Sequence, residues 1–212
     1  MERKKIIQKI IDKISAKTYL EIGVKYGTVF LQIKVKRKIA IDPFFRIPFY
    51  KKLFFWDGIL NAKYFKMTSD VFFDKYPSLF VREKIDTAFI DGLHTYRQSL
   101  KDVENCLRFL NERGVIIIHD CNPLTEAAAV PSRCGDVWKT IVYLRSQMSG
   151  LNAFVLDCDY GLGIVTKNRP ENTLNFSKEE IDKMTFADLD KNRKSFLNLK
   201  RPEYLDEFLS NL

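Results

Sequence analysis

A chain of 212 residues with 46% hydrophobic side chains can bury one substantial core but is tight for two full domains. Cys106, Cys121, Cys134 and Cys158 form no C-x-x-C pair and no metal-ligand spacing, which argues against a disulfide framework or a structural zinc and fits reduced thiols in the cytoplasm. The net charge of +8 is spread along the chain, so it describes a basic surface suited to phosphate-bearing substrates, nucleic acid or an anionic membrane face without choosing among them.

The N-terminal stretch MERKKIIQKIIDKIS interleaves charges with Ile6, Ile7, Ile10, Ile11 and Ile14. This is the period of an amphipathic helix that packs on the domain, not the apolar block of a signal peptide. No apolar run is long enough to span a membrane. A buried strand over Tyr19 to Ile22 then breaks at Gly23, and Glu21-Ile-Gly-Val-Lys-Tyr-Gly27 turns toward a helix. A glycine break of this kind brings bare backbone and a positive helix end up to a ligand. A dinucleotide fingerprint requires Gly-x-Gly-x-x-Gly, whereas Gly23 is followed only by Gly27, which weakens a pyrophosphate reading. Glu21 beside the turn would also repel phosphate and suit a cationic ligand.

Ile39 to Ile41 form a second strand closed by Asp42-Pro43, which leaves Asp42 at its carboxyl tip. An acidic residue about 20 positions past a glycine turn can take ribose hydroxyls, and the same aspartate can open an Asx turn before proline. Residues 44–65 are dense in aromatics without a clean period, and a cap, a dimer surface and core packing all remain open for them. A third strand is expected over Tyr64 to Met67, followed by a helix near Val71 with Ser69 or Asp70 as its N-cap.

Residues 84–123 carry a strand-helix-strand unit. Ala88 to Ile90 end at Asp91-Gly92; Leu100, Val103, Leu107 and Leu110 recur at helical spacing; Gly114 closes the helix before a strand over Val115 to Ile118. Parallel pairing would bring Asp91, His119 and Asp120 to the same edge as Glu21 and Asp42. Residues 121–134 read as a loop over that edge and a candidate substrate lid. A helix over about 136–146 follows, then a hairpin of Ala153 to Leu156 and Leu162 to Val165. The stretch from Lys167 is charged, with helical segments near Lys178 to Met184 and Pro202 to Leu209 that would pack on the domain or on a partner subunit.

Glu21-x-Gly23-x-x-x-Gly27 after an apolar strand resembles the first motif of class I methyltransferases that use S-adenosylmethionine. Asp91-Gly-Leu-His94-Thr-Tyr, the following helix, Gly114-Val-Ile-Ile-Ile-His-Asp120 and Gly135-Asp-Val-Trp-Lys139 are similar to the small class I family of the methyltransferase domain 24 type, often associated with glycan and natural-product tailoring. The likeness covers residues 17–166. It implies an α/β, doubly wound, Rossmann-like sheet of seven strands, mostly parallel with an antiparallel C-terminal edge hairpin and helices on both faces. A domain over 1–166 with the aromatic insert at about 44–65, and a helical extension over 167–212, follow from the same resemblance. It further implies that Glu21 and Asp42 hold ribose, that Gly23, Val24 and Gly27 let the methionine part approach the backbone, and that Ser69 or Asp70 contacts adenine.

Methyl transfer from a sulfonium is an in-line displacement, helped by positioning and by removal of the acceptor's proton. His94 and His119 are the two histidines of the chain, and both fall at this edge, where either can act as base near neutrality. Related metal-dependent methyltransferases imply a second mechanism, with Asp91, His119 and Asp120 as ligands of Mg2+ or, because histidine is a softer donor, Mn2+. Asp91 is placed as metal ligand, as orienter of His94 or as contact to the methionine amine. The expected acceptor is a hydroxyl of a small molecule, a sugar or nucleotide-sugar, in a cytoplasmic enzyme that can form a homo-oligomer. An NAD(P)-dependent oxidoreductase and an RNA-binding or RNA-methylating protein are the alternatives. Nucleic acid is disfavoured because Ile90-Asp-Gly-Leu93 stands where base-methylating enzymes carry Asn-Pro-Pro-Tyr.

Overall fold

All five residues of β1 (Thr18–Ile22) are buried, as a strand must be when a sheet is covered on both faces. The computed structural model describes residues 2–54 and 61–212, with the side chains of 52–54 left aside. Among these, β1 is joined by β2 (Arg37–Ile41), β3 (Ala62–Phe65), β4 (Ile85–Ile90), β5 (Leu110–Ile118), β6 (Asn152–Leu156), β7 (Leu162–Thr166) and β8 (Leu199–Lys200). Their order across the sheet is β3-β2-β1-β4-β5-β7-β6-β8. The first five are parallel, β7 runs antiparallel to both neighbours, and β8 is parallel to β6. This is the mixed, Rossmann-like α/β sheet expected, with eight strands among the described residues instead of seven.

The added strand replaces the hairpin as the sheet edge. Val155 N–H donates to the Leu197 carbonyl at 3.0 Å and Asp157 N–H to that of Lys200 at 2.8 Å, which occupies the outer side of β6. One face of the sheet is covered by the helix Arg3–Lys13, whose Ile6, Ile7, Ile10 and Ile11 are buried, together with Leu205, Phe208 and Leu209 of the helix Tyr204–Ser210. The other carries the helices Ser69–Lys75, Tyr96–Phe109 and Trp138–Gln147. Helices Lys178–Lys183 and Phe186–Phe196 add Ile181, Leu189 and Phe196 to that second core, so residues past 166 are packed into both faces. Among the described residues no helix is long and apolar enough to cross a membrane.

Four local expectations need correction. No regular helix follows Gly27: residues 28–32 form turns, and Leu31 N–H reaches the Gly27 carbonyl at 3.2 Å. The carbonyls a helix would use are taken by the buried Lys38 ammonium, which donates to Phe30 at 2.8 Å and Ile33 at 3.0 Å. β3 lies two residues earlier than Tyr64 to Met67, because the β2 register pairs Lys38 with Ala62 and Ile41 with Phe65. Thr68, not Ser69 or Asp70, is the N-cap of the next helix, its hydroxyl accepting from Val71 N–H. Gly114 does not close a helix: Leu110 is already extended at φ −72°, ψ 136° and pairs with Ile85, so Gly114 falls inside β5. Within 44–65, Phe49–Phe54 is helical, and residues 55–60 lie outside the described residues, so the cap, dimer and core readings of that insert stay undivided.

Candidate active site

The carboxyl ends of β1, β2, β4 and β5 meet at one edge through a ladder of backbone bonds that carries on past the strands. Gly23 N–H donates to Ile41 at 2.9 Å, Asp91 N–H to Ile22 at 2.9 Å and His119 N–H to Ile90 at 3.0 Å. Gly23 has φ +87°, and a Cβ there would lie 1.9 Å from the Asp91 carbonyl oxygen. Only glycine lets the first turn sit directly against the turn after β4. Asp42 holds the same turn from the other side: its carboxylate accepts from Lys25 N–H at 2.7 Å and from Phe44 N–H at 2.6 Å. The second of these bonds is the Asx turn before Pro43, so Asp42 is both at the strand tip and in the turn.

Asp91, His94, His119 and Asp120 come together. Asp91 Oδ1 is 3.3 Å from His119 Nδ1 and 3.6 Å from His94 Nε2, and Asp120 Oδ2 is 3.4 Å from His94 Nε2. The Nδ1 of His94 abuts the Arg133 carbonyl, an acceptor only, so that nitrogen carries the proton and Nε2 is the free one. Gly135, at φ +60°, lies so close to the His94 backbone that a Cβ would fall 1.7 Å from its carbonyl oxygen. The ring is thus aimed by the loop after β5, and its lone pair faces two carboxylates. That arrangement calls for a proton or a cation between them, and the hydrogen bond with Asp91 raises the His94 pKa accordingly.

His119 stands differently. It is 6% exposed, and its ring nitrogens face Asp91, Asp120 at 3.2 Å and Asp159 at 3.7 Å. Burial opposes its charge, but hydrogen bonds to Asp120, Asp159 and Asp91 push it up to about 11. Arg3, from the first turn of the N-terminal helix, lies 3.3 Å from Asp91 and 3.2 Å from Asp159. Its Nη1 is 2.8 and 3.1 Å from the two ring nitrogens of His119, an approach to the ring as a whole and not to one lone pair. Two cations are thereby shared among three carboxylates. Against its burial, the hydrogen bonds from His119 and His94 and the charge of Arg3 hold the Asp91 carboxyl well below the usual range. Arg3 and Asp159 were not singled out from sequence. Arg3 carries no local signal among the lysines around it; Asp159 does, because the 157–161 turn must share this edge once β6 runs parallel to β5.

Residues 20–121 match the family model for a methyltransferase domain. That stretch, just under half of the chain, is similar to a methyltransferase domain. No curated protein matches it in sequence. Among solved structures, the O-methyltransferase TomG from Streptomyces achromogenes, in complex with SAM, superposes with a TM-score of 0.62 at 12% identity, over 80% or slightly less of each chain: 78% of this one and 79% of that one. A Staphylococcus aureus chain assigned as a caffeoyl-CoA O-methyltransferase gives 0.59 at 19% identity, covering 79% and 85%. An O-methyltransferase from Bacillus cereus with SAH gives 0.55 at 14%, covering 77% and 78%. At these identities the likeness fixes the fold.

The remaining candidate residues fall outside the cluster. Glu21 is turned inward at 2% exposure and accepts the Tyr19 hydroxyl at 2.5 Å, on the face covered by the N-terminal helix. Val24 is in the core, and its carbonyl accepts from Gly27 N–H. Ser69 donates to Asp102 at 2.5 Å and Asp70 pairs with Lys101 at 2.8 Å, which ties both to the helix Tyr96–Phe109. The loop 121–134 is pinned at its start, where Arg193 donates to Asn122 Oδ1 and the Pro123 carbonyl, both at 2.6 Å.

Glu21 yields a stability prediction. Burial pushes its carboxyl from 4.5 up to about 8, with Tyr19 and Lys38 acting in the opposite sense. A group whose folded pKa is raised contributes stability that is complete below the unfolded value and lost as pH rises through the folded one. Between about pH 5 and about pH 9 the parent protein should therefore lose resistance to urea relative to Glu21→Gln. Parallel pH curves for the two proteins would count against a buried, protonated Glu21.

Proposed function

We propose that the enzyme transfers the methyl group of S-adenosylmethionine to a hydroxyl of a small metabolite, with a sugar-containing acceptor as the working class. The observation that carries this reading is the Asp91–His94–Asp120 group beside the Gly23 turn. A hydroxyl must shed its proton as the methyl arrives, and His94 Nε2, aimed by Arg133 between Asp91 and Asp120, is in its unprotonated form the group placed to take it. The turn 23–27 would receive the methionine part, Asp42 the ribose hydroxyls, and the Ser69–Asp70 region the adenine. Glu21, turned inward against Tyr19, would act on the site indirectly and not by contact. His119, enclosed by carboxylates and Arg3, would serve as a positioning residue for Asp91 and Asp120.

One ligand atom each from Asp91, His94 and Asp120 lie within 4.8 Å of one another, and His94 donates its other ring N–H to a backbone carbonyl, as histidines that bind metal commonly do. The residues therefore fit a divalent cation. His94 takes the place in this set that sequence reasoning gave to His119. The mixed oxygen and nitrogen donors suit manganese at least as well as magnesium, and such an ion would lower the pKa of a bound acceptor hydroxyl.

Exposed Phe44, Leu93, Leu124 and Tyr160 ring this edge, which suits an acceptor with an apolar part beside its hydroxyl. We also propose a catalytic domain over 1–166, with the 167–212 extension anchoring the 121–134 loop through Arg193. Reduced thiols, three of four buried, fit a cytoplasmic setting.

Calorimetric titration with S-adenosylmethionine and S-adenosylhomocysteine tests the cofactor directly; micromolar binding is expected, and absence of binding to either would overturn the proposal. In an acceptor screen that follows S-adenosylhomocysteine release, a chelator should lower turnover about tenfold or more and manganese should restore it. Full activity in the presence of chelator would leave His94 as an unaided base.

A further inference from the structure

A cavity of about 930 Å³ lies at the amino ends of the parallel strands, opposite the edge described above. Its walls come from Thr18 at the start of β1, Arg37 of β2, Ala62 of β3, the segment 81–86 leading into β4, and Asn111 of β5. Lys17, Lys36, Arg37, Lys63, Arg82 and Lys84 line it against two carboxylates, Glu83 and Asp86. Six positive against two negative charges leaves +4, half of the chain's net +8 on fourteen residues. The even spread of lysine and arginine along the sequence therefore hides a concentration in space.

Both carboxylates are already occupied. Glu83 pairs with Arg37, and Asp86 accepts Lys17 N–H at 2.8 Å, Thr18 N–H at 2.9 Å and the Asn111 side-chain amide. That leaves Lys17, Lys36, Lys63, Arg82 and Lys84, all exposed, with no ion pair between their side chains and any described residue. By contrast Lys9, Lys101, Lys167 and Lys200 elsewhere on the surface each face a carboxylate. Like charges gathered in a concave wall reinforce one another's field, and low-dielectric walls focus it toward the opening. Among the described residues the lining carries no large apolar side chain apart from Val81 and no aromatic one, so its described wall offers charge and not stacking or a grip on a lipid chain.

We propose that this cleft binds a ligand carrying linked phosphates, a di- or triphosphate group read by charge alone. A single phosphate meets two or three of the five free cations at a time, whereas a run of phosphates spans the wall and engages most of them. The site is separate from methyl transfer and stands whether or not that reading holds. Such a cleft would let the enzyme carry or sense a nucleoside polyphosphate at the edge remote from its reacting atoms.

The test uses the full chain and inorganic tripolyphosphate in calorimetry at low salt, with orthophosphate and a short single-stranded RNA as parallel probes. Tripolyphosphate should bind, orthophosphate at least roughly tenfold more weakly, and raising salt from about 50 to about 200 mM should weaken binding steeply. The double variant Lys63→Glu/Lys84→Glu, both positions exposed, should weaken tripolyphosphate binding by roughly tenfold or more while S-adenosylhomocysteine affinity and thermal unfolding stay at the parent values. No tripolyphosphate binding, equal binding by the variant, or binding of RNA without tripolyphosphate would each overturn the assignment.

Discussion

Asp91→Ala is expected to lower methyl transfer by about 10²- to 10⁴-fold, the range that a positioned acid-base group or its charge partner supplies. The carboxylate touches every part of the centre: His94, His119 and Arg3 lie within 3.6 Å of it. Alanine leaves His94 with Asp120 alone and removes one of three candidate ligand atoms. The fold should persist, because the bond that docks β4 on β1 runs from the Asp91 backbone N–H to Ile22, and a methyl side chain does not disturb it. Kinetics separate the roles open to Asp91. If it holds the methionine amine, KM for S-adenosylmethionine rises together with the fall in kcat; if it serves the acceptor, the fall is in kcat with cofactor binding retained. Asp91→Asn keeps the volume but not the charge, and equal damage in both variants would assign the effect to charge. A folded alanine variant that turns over at the parent rate would remove Asp91 from the chemistry.

What was legible in the sequence follows from how each element is held. β1, β2, β4 and the second half of β5 are buried on both faces, so their apolar runs marked their carboxyl ends, and the tips carrying Gly23, Asp42, Asp91 and His119-Asp120 came with them; the more exposed first half of β5 reads as helix in the sequence. The centre was readable to that extent because a parallel sheet has one carboxyl edge. The choice between the two histidines was not readable: it depends on Arg133 and Gly135, some 40 positions on, which aim His94, and on Arg3, which closes over His119. Lys38 misled for a related reason. In the run KVKRK it looks like one more solvated lysine, yet it is 1% exposed and terminates what would have been a helix by taking its carbonyls. The helix Phe186–Phe196 did carry a signal, since Thr185 and Asp188 form a reciprocal capping box, but no apolar period follows it strongly enough to stand out.

Gly23→Ala should be among the most damaging single methyl groups that can be added to this chain. Two costs act together. At φ +87° an L side chain is strained by about 1–2 kcal/mol even in open space, and here the new Cβ would lie 1.9 Å from the Asp91 carbonyl oxygen and 2.8 Å from the Gly92 Cα. Both obstacles are backbone, so no rotamer change relieves them; β1 and β4 must part at their carboxyl ends by more than an ångström. That separation breaks or lengthens the Asp91 N–H bond to Ile22 and the Gly23 N–H bond to Ile41, both now 2.9 Å and accepted by buried residues. A total of about 4 kcal/mol or more is expected, which at this chain length lowers Tm by about 8–16 °C. Because the displaced backbone is also the cradle proposed for the cofactor, affinity for S-adenosylhomocysteine should fall even in the fraction that remains folded. Gly150→Ala provides the control: no atom lies within 4 Å of its added Cβ, so that variant should stay within about 0.5 kcal/mol of the parent or gain slightly from a less flexible unfolded chain. Equal Tm values for the two variants would mean that the turns after β1 and β4 do not meet as closely as the Gly23 geometry requires.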